Sequence, residues 1–227
     1  MLTRIDDFFA FLGLSKSETK SGIQLSTEYG EKALGMTHTN DYKALGAVVL
    51  HHKPKRIFEI GTYKGLTSDF FLNLNSDCEV VSIAYKNPWW KIFSAIFNNS
   101  DLPKKLIGSE VQDKHHSRFT QIYGNSHALK AESFIKKYGR FDAVLIDGDH
   151  SGKGVALDTI FARTILNEAG VILWHDANPK SKYMDVRKYL ENELELDAIA
   201  TRDDFIGGIA YWSPELESRL NSEAGVT

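Results

Sequence analysis

The 227-residue chain has one cysteine, Cys78, so no internal disulfide framework is available and a reducing compartment is the expected setting. Cys78 lies beside a predicted strand and reads as a small buried residue rather than a reactive thiol. Long apolar runs are also missing. No stretch approaches the roughly 20 apolar residues needed to span a bilayer. The start, Met1–Leu12, carries Asp6 and Asp7 where a secretory signal would need an unbroken apolar core. A cytoplasmic protein with no membrane partner is expected. Positive charge is not in excess either: 27 Lys and Arg stand against 30 Asp and Glu, with no long basic run. Nothing therefore points to nucleic acid as a partner. Two glycine signatures are absent as well, the G-x-G-x-x-G dinucleotide turn and the G-x-x-x-x-G-K-[ST] phosphate loop.

What is present suits an ordinary soluble globular protein. Hydrophobic residues make up 42% and charged residues 25%, and the length suffices for one large domain. Ile5, Phe8, Phe9 and Leu12 recur at helical spacing, which predicts a short amphipathic helix over residues 1–14. It would cap the fold, cover the site or make a dimer contact. Ser15–Lys20 reads as a polar linker, and residues 21–38, with Gly22, Gly30 and Gly35, show no firm pattern. Asn40 or Asp41 would cap a helix carrying Leu45, Val48 and Val49 and ending before Pro54.

Strands and helices then alternate. Strands are expected at Arg56–Ile60, Glu79–Tyr85, Arg118–Tyr123, Ala143–Ile146, Val171–Trp174, Asp197–Thr201 and Gly207–Trp212. The last two are joined only by Arg202–Ile206, too short for a parallel crossover, so they must pair antiparallel. The fold class is therefore α/β: a Rossmann-like, doubly wound, mostly parallel seven-stranded sheet with a C-terminal antiparallel hairpin.

The chemistry gathers after the fourth of these strands. Phe141–Ile146 is apolar, and Asp147, Asp149 and His150 then arrive within four positions around Gly148. Polar groups at the carboxyl end of a central parallel strand are how open α/β sheets build sites. Glu59-Ile60-Gly61-Thr62-Tyr63-Lys64-Gly65 forms a strand-to-helix turn, with Tyr63 where a dinucleotide fingerprint would place its middle glycine. By itself that turn is also compatible with a plain glycine turn. His51-His52 and His115-His116 read as exposed pairs at helix ends, with no acids at ligand spacing beside them. Trp89, Trp90, Phe93 and Phe97 serve packing, an apolar lid over a substrate pocket, or a dimer contact.

These motifs resemble the class I S-adenosylmethionine-dependent methyltransferases over roughly residues 55–212. Within that class they are most similar to small-molecule O-methyltransferases of the macrocin O-methyltransferase-like and cephalosporin-hydroxylase-like kind. The resemblance rests on Glu59-x-Gly61-x-x-x-Gly65, on Ile146-Asp147-Gly148-Asp149-His150, on Asp158 in the following helix, and on His175-Asp176 after the fifth strand. It implies a helical cap (1–54), a methyltransferase domain (55–213) and a short tail (214–227). It further implies that Glu59, Gly61, Thr62, Tyr63, Gly65, Tyr85, Asn125, Ser126 and Asp147 bind S-adenosylmethionine. Asp147, His175 and Asp176 would hold a divalent metal, magnesium or manganese, with hydrogen-bonded strand-end caps as the alternative. Asp149 and His150 are the general-base candidates, and His150 reads equally as a residue supporting the site from behind. The acceptor would be a small-molecule hydroxyl, and a homodimer is compatible.

One position departs from the family. Ala84 stands where an acid normally grips the ribose hydroxyls, so Tyr85, Asn87 or backbone must take its place. That departure favours a non-catalytic binding subunit as the alternative function. A nucleotide-dependent oxidoreductase is the other rival, disfavoured by the missing glycine and by the hairpin.

Overall fold

The structure is a computed structural model that describes residues 2–33, 37–85, 106–179, 181, 183–193, 199–200 and 207–223. The strands are β1 (Leu2–Thr3), β2 (Arg56–Ile60), β3 (Glu79–Ala84), β4 (Phe119–Tyr123), β5 (Phe141–Ile146), β6 (Leu166–Trp174), β7 (Ile199–Ala200) and β8 (Ile209–Trp212). They form one eight-stranded sheet in the order β1-β7-β8-β6-β5-β2-β3-β4. Every pair is parallel except those of β8, which runs antiparallel to both β6 and β7. The expected hairpin is there. The expected seven strands become eight because Leu2 and Thr3 pair with Ile199 and Ala200 at the edge. Two residues are too few to show a strand period, so the sequence carries no sign of β1.

Eight α-helices flank the sheet among the described residues: α1 (Ile5–Phe11), α2 (Lys16–Lys32), α3 (Thr39–His52), α4 (Leu66–Leu74), α5 (Ala131–Tyr138), α6 (Gly152–Ile165), α7 (Met184–Glu193) and α8 (Pro214–Glu223). None is long and apolar enough to cross a membrane. The predicted first helix is α1, with Phe8 and Leu12 buried. The supposed linker Ser15–Lys20 falls instead largely within α2. That helix buries Gly22, Ser26 and Tyr29, with Ala33 just past its end, a stripe at helical spacing built mostly from residues that do not look like a core. Its glycines are contact points. A Cβ on Gly30 would lie 2.6 Å from Thr39 Cα, and one on Gly22 would lie 2.8 Å from Leu50 Cδ1, so both let α2 press onto α3.

Two apolar cores sandwich the sheet. One joins Phe8, Tyr29, Leu45, Val48 and Phe70 to the β5 and β6 side chains Leu145 and Leu173. The other joins Phe58, Val144 and Trp174 to Phe134 on α5 and Phe161 on α6. Trp174 is fully buried, and its indole N–H is satisfied by Thr159 Oγ1 at 2.9 Å. Cys78 is buried, as expected.

The winding places the site. From β2 the chain steps outward through β3 and β4, then returns to β5 on the other flank of β2. The crevice of such a sheet opens where the order reverses, at the carboxyl ends of β2 and β5. Here the two ends are stitched together: Asp147 N–H donates to Ile60 C=O at 2.8 Å, and His175 N–H donates to Ile146 C=O at 3.1 Å.

Candidate active site and metal centre

The turn after β2 is held from within. Gly61 has φ +107°, and a Cβ there would lie 1.9 Å from the Asp147 carbonyl oxygen. The resemblance counts this glycine among the cofactor-binding residues; what approaches its α-carbon is the backbone of the neighbouring loop. Gly65, at φ +89°, is packed against Gly108 and Val111 rather than against a strand. Glu59 is buried, and its Oε2 accepts hydrogen bonds from the hydroxyls of Ser68 and Ser82. Burial pushes its carboxyl up to about 7, against those two hydrogen bonds, and the charge of Asp147 adds to the rise. Thr62 also turns inward, to Ser82 Oγ at 2.7 Å and Gln121 Nε2 at 2.9 Å. Tyr63 (φ 46°) is exposed.

Beyond Gly61 lies a ring of alternating nitrogen and oxygen. His150 Nε2 is 2.9 Å from Asp176 Oδ2, which is 3.4 Å from His175 Nδ1. His175 Nδ1 is 3.2 Å from Asp147 Oδ1, which closes the ring at 3.5 Å from His150 Nε2. Two carboxylates from different strand ends thus share two imidazoles. Asp147, His175 and Asp176 each offer a donor atom within 4.8 Å of the others, the arrangement a divalent ion needs. Donors bound at about 2.1 Å stand about 3.0–3.4 Å apart around one ion, which the 3.2 and 3.4 Å distances from His175 Nδ1 to the two carboxylates match.

Local structure aims these groups. Asp176 adopts the left-handed region (φ 60°), uncommon for a side-chain-bearing residue though more tolerated by Asp than most, and Ser181 Oγ donates to its Oδ1 at 3.2 Å. Tyr183 stacks on the His150 ring with centroids 3.9 Å apart. Burial disfavours charge on all four ring members, but their mutual attraction outweighs it. His150 is raised to about 9 and His175 well above its ordinary value, while Asp147 and Asp176 are held below theirs. Without an ion, protons on the imidazoles neutralise the carboxylates.

The other predicted residues fall into two groups. Asp149 turns to the start of α6, accepting the Ser151 N–H at 2.9 Å and lying against Gly154. His150, next in sequence, is the one that reaches the ring. Along the carboxyl edge, Ala84 ends β3 and Tyr85 beyond it is 60% exposed. Asn125 Oδ1, expected to face a ligand, accepts the His127 N–H at 3.0 Å and caps a short 3-10 turn at Ser126–Ala128. Under that turn Asp158 is fully buried, 3.4 Å from His127 Nε2, and neither of its oxygens has a hydrogen bond of ordinary geometry among the described residues.

In each histidine pair away from the site one member is exposed as expected, His51 and His116, and its neighbour is not. His115, expected to be exposed, is buried beside Asp69 (4.0 Å) and hydrogen-bonded by Arg118 at 2.8 Å. His52 meets Tyr211 Oη at 2.6 Å. Trp89, Trp90, Phe93 and Phe97 lie outside the described residues. A cleft of about 240 Å³ lined by Phe11, His51 and Tyr211 lies among α1, the end of α3 and β8, away from the ring.

Sequence reasoning missed one residue of the site. Asp41 Oδ2 lies 3.5 Å from His175 Nε2. The only signal was its place near the start of α3, which reads as a cap; its partner is 134 positions away.

Residues 58–177 match the family model for the methyltransferase domain, and the chain belongs to that family. No curated protein matches the chain in sequence. Solved structures do. The SAH-bound methyltransferase PaMTH1 of Podospora anserina matches over 88% of this chain and 88% of its own, at 17% identity and a TM-score of 0.54. A candidate caffeoyl-CoA O-methyltransferase from Staphylococcus aureus matches over 84% and 91%, at 16% identity and a TM-score of 0.54. MycE of the mycinamycin biosynthetic pathway, in complex with Mg, SAH and mycinamycin VI, matches over 82% of this chain and 53% of its own, at 16% identity and a TM-score of 0.50. At these identities the likeness defines a shared fold.

Proposed function

We propose that the chain moves a methyl group from S-adenosylmethionine to a hydroxyl of a small molecule, assisted by a divalent ion on Asp147, His175 and Asp176. The observation that carries the metal is the convergence of three donor atoms within 4.8 Å at the switch point of a methyltransferase-family sheet. Magnesium accompanies SAH in the similar fold of MycE, which supports the same pairing here. With one imidazole in the set, manganese suits the donors better than magnesium. An ion there would draw down the pKa of an acceptor hydroxyl.

For the methyl donor, Gly61–Tyr63, Tyr85, Asn125–Ser126 and the Asp147 backbone line the carboxyl edge. Asp158, buried beneath that turn beside His127, would hold Ser126 and its neighbours in place. S-adenosylmethionine, when bound, supplies a methyl group activated by a sulfonium. The chain's own work is to align donor and acceptor and to take one proton. His150 Nε2 is the acceptor of that proton, in preference to Asp149, which is engaged at the α6 start. His150 is held protonated by Asp147 and Asp176, which it shares with His175, and would be able to accept a proton where those carboxylates were engaged by an ion. Residues 1–54 would form a mainly helical cap on the sheet that reaches the ring through Asp41, and the free thiol of Cys78 supports a cytoplasmic setting.

Calorimetric titration with S-adenosylmethionine, with SAH and with NADH tests the donor. Radiolabelled methyl transfer to a panel of phenols and sugar hydroxyls, with Mn²⁺ or with EDTA, tests the reaction. Failure of S-adenosylmethionine and SAH to bind at millimolar concentration would sink this reading.

A further inference from the structure

We propose that Asp41 is a positioning residue of the metal centre, accepting the Nε2–H of His175 so that Nδ1 faces Asp147 and Asp176. The inference rests on the metal reading above and adds a residue from outside the domain that carries the motifs. His175 has two ring nitrogens with different surroundings. Nδ1 points at Asp147 Oδ1 (3.2 Å) and Asp176 Oδ2 (3.4 Å). Nε2 is buried and has no hydrogen bond among the described residues; the acid it faces is Asp41, whose Oδ2 is 3.5 Å away. A ligating imidazole must present a lone pair to the ion, so the proton belongs on the other nitrogen, where a carboxylate fixes both tautomer and ring plane.

Asp41 is built for that task. It is 1% exposed, and its carboxylate is clamped on both oxygens: Oδ1 accepts the Gly208 N–H at 2.9 Å, and Oδ2 accepts the His38 N–H at 3.0 Å. Gly207 makes room for it, since a Cβ there would lie 2.7 Å from Oδ2. Three separate segments therefore meet at one carboxylate: the start of α3, the Gly207–Gly208 turn before β8, and His175 after β6. Gly208 C=O and Gly207 C=O in turn accept the Ala177 and Asn178 N–H groups at 3.1 and 2.7 Å, so the loop bearing Asp176 is tied to the same turn. Docking of the N-terminal helices and readiness of the metal site are thereby linked through one side chain.

The test uses the full chain and the variant D41N, which keeps the size and an acceptor oxygen but removes the charge. Mn²⁺ affinity is read from the free-ion electron paramagnetic resonance signal, S-adenosylmethionine affinity by calorimetry, and folding by thermal melting. The expected result is Mn²⁺ binding weakened about 10–100-fold, with S-adenosylmethionine affinity little changed and a cooperative melt lowered by the one backbone N–H that the amide leaves unpaired. Unchanged Mn²⁺ affinity in a folded D41N would overturn the role of Asp41. A second measurement does not depend on the variant folding. In ¹⁵N-histidine spectra of the wild-type, metal-free protein with His175 neutral, its single ring proton should sit on Nε2 and be hydrogen-bonded, and a proton on Nδ1 instead also overturns the proposal. Wild-type protein that shows this bond but binds no Mn²⁺ refutes the metal reading itself, and the positioning role with it.

Discussion

At the scale of single residues, the ring shares two carboxylates between two imidazoles, and the proposed ion would compete with their protons for the same oxygens. Asp147 is shared by His175 and His150, so Asp147→Ala should cut ion-stimulated methyl transfer by about two orders of magnitude or more. Its melting curve should remain cooperative. Turnover with Mn²⁺ equal to that of wild type would remove the ion from the mechanism. Glu59 offers a second check, on stability. Its folded value near 7 lies above the ordinary 4.5, so the folded state holds its proton more tightly than the unfolded chain does. The stabilisation is complete below about pH 4.5 and is lost as pH rises through about 7. Glu59→Gln does not titrate, so its stability relative to wild type should climb over that window, by on the order of 3 kcal/mol, and level off above it. Urea denaturation at pH 5 and pH 8 measures the difference, and a constant offset at both would contradict the assignment.

At the scale of elements, glycines decide how closely helices and loops approach. Gly30→Ala puts a methyl 2.2 Å from Thr39 Oγ1 and 2.6 Å from Thr39 Cα, and backbone cannot step aside as a flexible side chain can. A loss of about 1–3 kcal/mol is expected, with α2 displaced from α3, measured by chemical denaturation. Gly61→Ala is more severe in kind, because it combines φ +107° with a collision against the Asp147 carbonyl. It should weaken ion binding as well as stability, since it shifts the backbone that carries a ligand. The sequence signals for these two glycines differ in quality. Gly61 sits in a motif and was legible as special, though its neighbour was not. Gly22 and Gly30 lay in a stretch with no firm pattern, and the linker assigned to Ser15–Lys20 followed from reading polar residues without knowing what packs against them.

At the scale of the whole molecule, the sheet order puts β2 and β5 side by side and gathers three loops at one edge. A ligand that binds only this assembled edge must stabilise the whole fold. SAH at one hundred times its dissociation constant should add about 2.7 kcal/mol, a melting shift of roughly 5–10 °C for a domain of this size. NADH should produce none, and a thermal shift assay separates the two. The sequence by itself determined the strands β2 to β6 to within a few residues, the alternation with helices, the antiparallel closing hairpin, and the acids and histidines of the ring. Those follow from local pattern and connection length, which act between near neighbours in the chain. Only the tertiary structure decided the edge strand β1, the burial of His115, the turning of Asp149 away from the ring, and the approach of Asp41 to His175. Each depends on which distant surface arrives beside a given side chain, and short-range periodicity carries no record of that.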